Sequence, residues 1–110
     1  MFRLIQNVIH AIHRSFDANI WRTIVISELP DILENKSIYI ISSNGQNWFA
    51  SLKCPCGCGM SINLNMERRN SPCWSALIHI NGTLSLSPSV WRKVKCKSHF
   101  WIKKGRIIWV

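Results

Sequence analysis

Residues 2–13 place Leu4, Ile5, Val8, Ile9 and Ile12 on one side at helical spacing, with Arg3, Asn7, His10 and Arg14 elsewhere. This pattern predicts one amphipathic helix within residues 1–15, packed on the rest of the chain or projecting from it. From Ile20 onward the helical period is lost. Short β-branched and aromatic runs follow one another, broken by turn residues. Strands are expected at Ile20–Ile26, Ser37–Ile41, Asn47–Lys53 and Met60–Met66, with a short helical turn at Asp31–Asn35. Asn44-Gly45 supplies a turn between the second and third strands. Further on, Trp74–Ile80 and Thr83–Ser87 read as a hairpin closed by Asn81-Gly82, with Pro88 ending its second strand. Phe100–Lys103 and Arg106–Val110 read as a closing hairpin around Lys104-Gly105.

The third and fourth strands flank Cys54-Pro55-Cys56-Gly57-Cys58-Gly59, and Cys96-Lys97-Ser98-His99 follows about forty residues later. Strand, knuckle, strand is the way zinc ribbons present their ligands, and Zn²⁺ takes four such ligands in a tetrahedron. The expected fold is therefore mainly β: a small antiparallel sheet or hairpin domain with zinc-ribbon-like knuckles and one N-terminal helix. It forms a single zinc-stabilised domain over residues 1–110. Five candidates compete for the four positions. Knuckle spacing favours Cys54, Cys58, Cys96 and His99, with Cys56 as the alternate ligand. The other set, Cys54, Cys56, Cys58 and Cys96, leaves His99 free for chemistry. Cys73 stands apart beside Trp74 and reads as a small buried hydrophobe.

A catalytic zinc keeps an open position and works beside a carboxylate base. Here four ligands are on offer, no H-E-x-x-H motif exists, and Glu67 is the one acid after residue 50. One structural zinc is expected. With 110 residues the core is modest, and a metal staple suits a chain of that size. The five cysteines are odd in number and three lie at C-x-C spacing, which makes poor disulfides. Reduced thiols holding a metal in the cytoplasm are expected. No secretory signal and no transmembrane run are read in the sequence.

The net charge is +9, and residues 51–110 carry ten basic side chains against Glu67 alone. Three thiolates and a neutral His would leave a zinc site near −1, which Lys53, Lys93, Lys95 and Lys97 offset. The remaining excess suggests an acidic partner, whether nucleic acid or an acidic protein face. Most of the six tryptophans are expected in the core. Trp91-Arg92-Lys93 and Trp101-Ile102-Lys103-Lys104 also permit base stacking beside phosphate contacts. Thr83, Ser85, Ser87 and Ser89 alternate with Leu84 and Leu86, which puts a row of hydroxyls on one face of a strand. Ser89, held by Pro88, is a candidate nucleophile, with His79 or a non-ligating His99 as its base.

Taken together, Cys54-Pro-Cys-Gly-Cys-Gly59, Pro72, Trp74, Leu86-Ser-Pro-Ser-Val90, Cys96-x-x-His99-Phe-Trp-Ile102 and Gly105-Arg-Ile-Ile-Trp109 resemble a domain-of-unknown-function family of small bacterial proteins. The resemblance spans roughly residues 25–110 and leaves the N-terminal helix outside. It implies a bacterial origin and an association with ubiquitin-like conjugation systems. The expected partners are then a ubiquitin-like protein or its activating- and conjugating-enzyme-like companions. It also implies a serine-dependent protease that processes or removes the ubiquitin-like protein, with Ser89 as the matching position. The alternative is a non-enzymatic basic module that binds nucleic acid or an acidic protein.

Overall fold

The computed structural model describes residues 19–93 and 95–110. Eight strands follow in chain order: β1 (Arg22–Ile26), β2 (Ser37–Ser43), β3 (Gln46–Lys53), β4 (Ser61–Asn65), β5 (Ser75–Ile78), β6 (Leu84–Trp91), β7 (His99–Lys103) and β8 (Arg106–Trp109). They form two four-stranded sheets, β1-β2-β3-β4 and β5-β6-β7-β8. The expected fold class is corrected in three respects. There are two sheets rather than one small one. β1 and β2 pair in parallel, whereas a small antiparallel sheet or hairpin domain was expected. No helix occurs among the described residues: Asp31–Asn35 forms bends and a turn, and the helix expected within 1–15 lies outside the described residues. Among the described residues there is no helix long and apolar enough to cross a membrane.

The parallel pair follows from burial. β2 alternates so that Ile38 and Ile40 enter one cluster while Tyr39 and Ile41 enter another on the opposite face. A strand apolar on both faces needs cover on both, and such strands read as continuous hydrophobic runs. The connection 27–36 supplies the cover by crossing that outer face and burying Leu33 against Ile24, Tyr39 and Ile41. Arg22 fastens it through an ion pair with Glu34, and the Tyr39 hydroxyl accepts from the Glu34 backbone N–H at 3.1 Å.

One hydrophobic cluster draws on the inner faces of both sheets. Ile38, Ile40, Ala50, Leu52, Ile62 and Leu64 meet Leu84, Leu86, Val90, Phe100 and Ile102. Phe100, Ile38, Ile40, Leu52, Leu84 and Ile102 are fully buried. Each is worth about 1.5–3 kcal/mol, so the shared core dominates the fold.

β6 departs from the sequence reading because it runs on through Pro88. Leu86 pairs with Ile102 and Val90 with Phe100, so residues 87–89 face Trp101 alone. Such a bulge tolerates a residue without an N–H and re-aims the side chains within it. The β5–β6 turn is also wider than a two-residue turn. Asn81 Oδ1 accepts from the Thr83 N–H and hydroxyl, and the His79 N–H closes the loop on the Thr83 carbonyl at 2.8 Å.

Gly105 ties the sheets together. Its N–H donates to the Leu84 carbonyl and its carbonyl accepts from the Trp21 N–H, both at 2.7 Å. Its φ is +77°, and a Cβ there would lie 2.9 Å from the Ile20 side chain. Gly105→Ala is therefore expected to lower the unfolding free energy by about 1–3 kcal/mol, read from the midpoint of a denaturant titration.

Candidate active site and thiol cluster

Two centres are built at the ends of β6 and β7. The first is a sulfur cluster. Cys54 leaves β3 and its backbone N–H donates to the Met60 carbonyl at 2.8 Å, while the Gly57 N–H returns to the Cys54 carbonyl at 3.2 Å. This tight knuckle turns through Gly57 and Gly59, both at positive φ. The second knuckle is closed by the Arg92 N–H on the Ser98 carbonyl at 2.7 Å. Its residues Lys95 and Lys97 flank Cys96 at φ of 62° and 53°. Left-handed backbone at non-glycine residues persists only where the surroundings impose it.

Cys54, Cys56, Cys58 and Cys96 bring their sulfurs within 4.8 Å of one another. Cys54 lies 3.3 Å from Cys56 and 3.6 Å from Cys96. Tetrahedral coordination at about 2.3 Å would set sulfurs roughly 3.8 Å apart, so the donor set fits a metal ion of soft character. Among the described residues this is the one such group. Burial pushes the Cys54 thiol up to about 11, whereas the Ser98 hydroxyl and backbone hold Cys96 down at about 6. Cys56 is held below its ordinary value, chiefly by the hydrogen bond from Cys54. Ser98 is buried and donates to Cys96 Sγ at 3.2 Å. Cys73 stands half-buried outside the group.

The second centre is a serine and a histidine. Ser89 leaves the bulge of β6, and its Oγ lies 2.9 Å from His99 Nε2 at the start of β7. Both side chains are half-buried, so the pair is held yet reachable. The Trp91 ring pairs across the sheet with His99 and stacks on it, with centroids 5.1 Å apart and planes 14° from parallel. Lys93 Nζ sits 5.1 Å from the same Trp91 ring. The Trp74 indole N–H donates to the Ser89 carbonyl at 3.3 Å, which anchors the bulge from β5's side. Among the described residues no carboxylate hydrogen-bonds His99.

Of the five ligand candidates, the structure gathers the four sulfurs, Cys56 included, and places His99 with Ser89. His79, the other candidate base, is set apart: its Nε2 lies 2.8 Å from Ser85 Oγ, which also accepts from the Lys104 N–H. Trp74, Trp91 and Ser98 carry no signal of their roles in the sequence. Trp91 is recognisable only once the register sets it opposite His99.

A serine hydroxyl on an imidazole nitrogen is the arrangement of an activated nucleophile. A family model described as BubE, bacterial ubiquitination-like system serine protease, matches residues 25–110. No curated protein matches the chain, and no solved structure does.

The cluster predicts how metal uptake depends on pH. Cys54 keeps its proton up to about 11, so a cation that binds near neutrality must displace it. Affinity should rise with pH by roughly tenfold per unit for each proton displaced. Calorimetric titration of the reduced chain in buffers of different ionisation heat measures this directly. Cys56→Ser should weaken uptake, and His99→Ala should leave it in place.

Proposed function

The chain belongs to the BubE family of bacterial ubiquitination-like system serine proteases, and from that premise we propose that Ser89 is its nucleophile and His99 its general base. The observation that supports the reading is the 2.9 Å contact between Ser89 Oγ and His99 Nε2. Ser89 Oγ attacks the acyl carbonyl of the substrate while Nε2 takes the hydroxyl proton. The tetrahedral intermediate collapses, Nε2 returns the proton to the leaving group, and an acyl-serine remains. Water, deprotonated by the same nitrogen, then attacks the acyl-serine, releasing the carboxylate and restoring Ser89. The substrate is a ubiquitin-like protein, cleaved from a C-terminal extension or from a conjugate. The other proteins of such a conjugation system are its natural companions. The nucleic-acid reading draws no support from the family match.

A third member of such a centre mainly orients the imidazole and stabilises its charged form. In this chain Trp91 supplies the orientation by stacking, and its electron-rich face favours the imidazolium that forms during attack. Trp91 is a positioning residue in this scheme.

The metal is proposed to be one structural Zn²⁺ held by Cys54, Cys56, Cys58 and Cys96. Four protein sulfurs complete its tetrahedron, so its contribution is folding free energy. Four thiolates on Zn²⁺ leave about −2 of charge, and Lys53, Lys93, Lys95 and Lys97 surround the two knuckles in sequence.

Ser89→Ala is expected to abolish cleavage of a ubiquitin-like fusion with the metal content unchanged. His99→Ala should slow cleavage by about 10²–10⁴-fold. Gel-based cleavage kinetics measure both, and cleavage by Ser89→Ala at the native rate would remove the assignment. Trp91→Ala should lower kcat by roughly tenfold with little change in KM, and Trp91→Phe should recover most of it. Equal loss in the Phe variant would contradict the stacking role.

A further inference from the structure

The alternation that turns Phe100 and Ile102 into the core turns His99, Trp101 and Lys103 to the opposite face of β7. On neighbouring strands the same outward face carries Leu77, which pairs with Ser85, and Arg106, which pairs with Lys103. Between them lies a groove of about 650 Å³ whose walls include Ala76, Leu77, Leu86 and Trp101. Lys103, Lys104 and Arg106 form its basic rim. Leu77 is 61% exposed, a large apolar side chain left in solvent. Lys103 Nζ lies 4.9 Å from the Trp101 ring, so the cation edges the apolar floor.

By register the groove adjoins the Ser89–His99 centre. Trp101 lies opposite the bulge of residues 87–89, and Ser87 lines the groove two positions before Ser89. Its volume falls in the range of clefts that hold a ligand or a short peptide segment. On these observations we propose that the outward face of β5, β6, β7 and β8 is the substrate-tail subsite: it holds an extended segment of the protein substrate that carries an apolar side chain flanked by acidic ones. The inference rests on the reading of Ser89 and His99 as the reacting pair, which sets where the cleaved bond lies. Leu77 faces Ser85, four positions from Ser89. At ~3.3 Å per extended residue the apolar anchor falls roughly two to four residues from that bond. Trp101 and Leu77 accept the anchor, and the rim of Lys103, Lys104 and Arg106 meets the acidic flanks. Ser87, at the side of the groove, offers its hydroxyl to the segment's backbone.

The test uses the full chain with Ser89→Ala, so that a bound segment stays intact. Two fluorescent peptides share one apolar core and differ only in Asp/Glu against Lys/Arg flanks. Anisotropy titration should show the acidic peptide bound at least about tenfold more tightly at low salt, with the difference shrinking as salt is added. Adding Leu77→Asp should erase binding of the acidic peptide. Lys103→Glu with Arg106→Glu should reverse the order of the two peptides. Matching near-ultraviolet circular dichroism verifies that each variant is folded. Equal affinity for both peptides, or acidic-peptide binding unchanged in both variants, overturns the subsite. The catalytic reading fails separately. Native-rate cleavage by Ser89→Ala, with acidic-peptide binding retained, leaves the groove standing as a binding face. Cleavage lost in Ser89→Ala, with both peptides bound equally, removes the groove alone.

Discussion

Cys54 and Cys96 stand 42 positions apart in the chain, and their sulfurs lie 3.6 Å from each other. One knuckle belongs to the β3–β4 connection of the first sheet and the other to the β6–β7 connection of the second. The thiol cluster therefore joins the two sheets at one end of the core they share. A metal ion held by all four sulfurs would cross-link a loop of that length and remove about 4 kcal/mol of chain entropy from the unfolded state. For a chain of 110 residues that is a large share of the ordinary stability of a domain. Gly105 makes a second join through the backbone, between Trp21 and Leu84.

The same turn carries one member of the Ser89–His99 pair. Ser98 is hydrogen-bonded to Cys96, and the next residue is His99. The imidazole thus emerges from a turn whose geometry the cluster holds. Ser89 arrives from the other strand, on a bulge anchored by Trp74. Neither element alone brings a hydroxyl to an imidazole. The pairing of β6 with β7 does, and the stack of Trp91 on His99 sets the ring plane. Including Cys56 in the sulfur group is what allows His99 to stand outside it. The arrangement separates the sulfur group, at the sheet connections, from the Ser89–His99 pair on the outward face.

Much of this was readable from residue pattern. The β runs appear because Ile, Val, Trp and Tyr cluster between turn residues, and each of the expected strands overlaps an observed one. The two knuckles were visible because cysteines at such density have few other uses. What pattern could not supply is partnership across the sheets. Ile38 to Ile41 form one apolar run, and periodicity alone does not say that Leu33 returns to cover its outer face. Pro88 signals a strand end locally, but the pairing on both sides carries β6 through it as a bulge. The choice between Cys56 and His99 as fourth member of the group also depended on register. The spacing Cys96-x-x-His99 suits a knuckle, yet β7 begins at His99 and turns it to the outward face, opposite Trp91. Likewise His79 and Ser89 are close candidates in sequence, but the Asn81 loop directs His79 to Ser85.

The central claim is that the nucleophile is Ser89 and that the sulfur cluster works apart from it. A fluorophosphonate probe forms a stable adduct with an activated serine, and intact-protein and peptide mass spectrometry locate it while metal analysis is run on the same sample. The expected result is one adduct, on Ser89, lost in His99→Ala, with one metal ion per chain retained throughout. An adduct at another residue, or an unlabelled Ser89 in a chain that still cleaves its substrate, would contradict it.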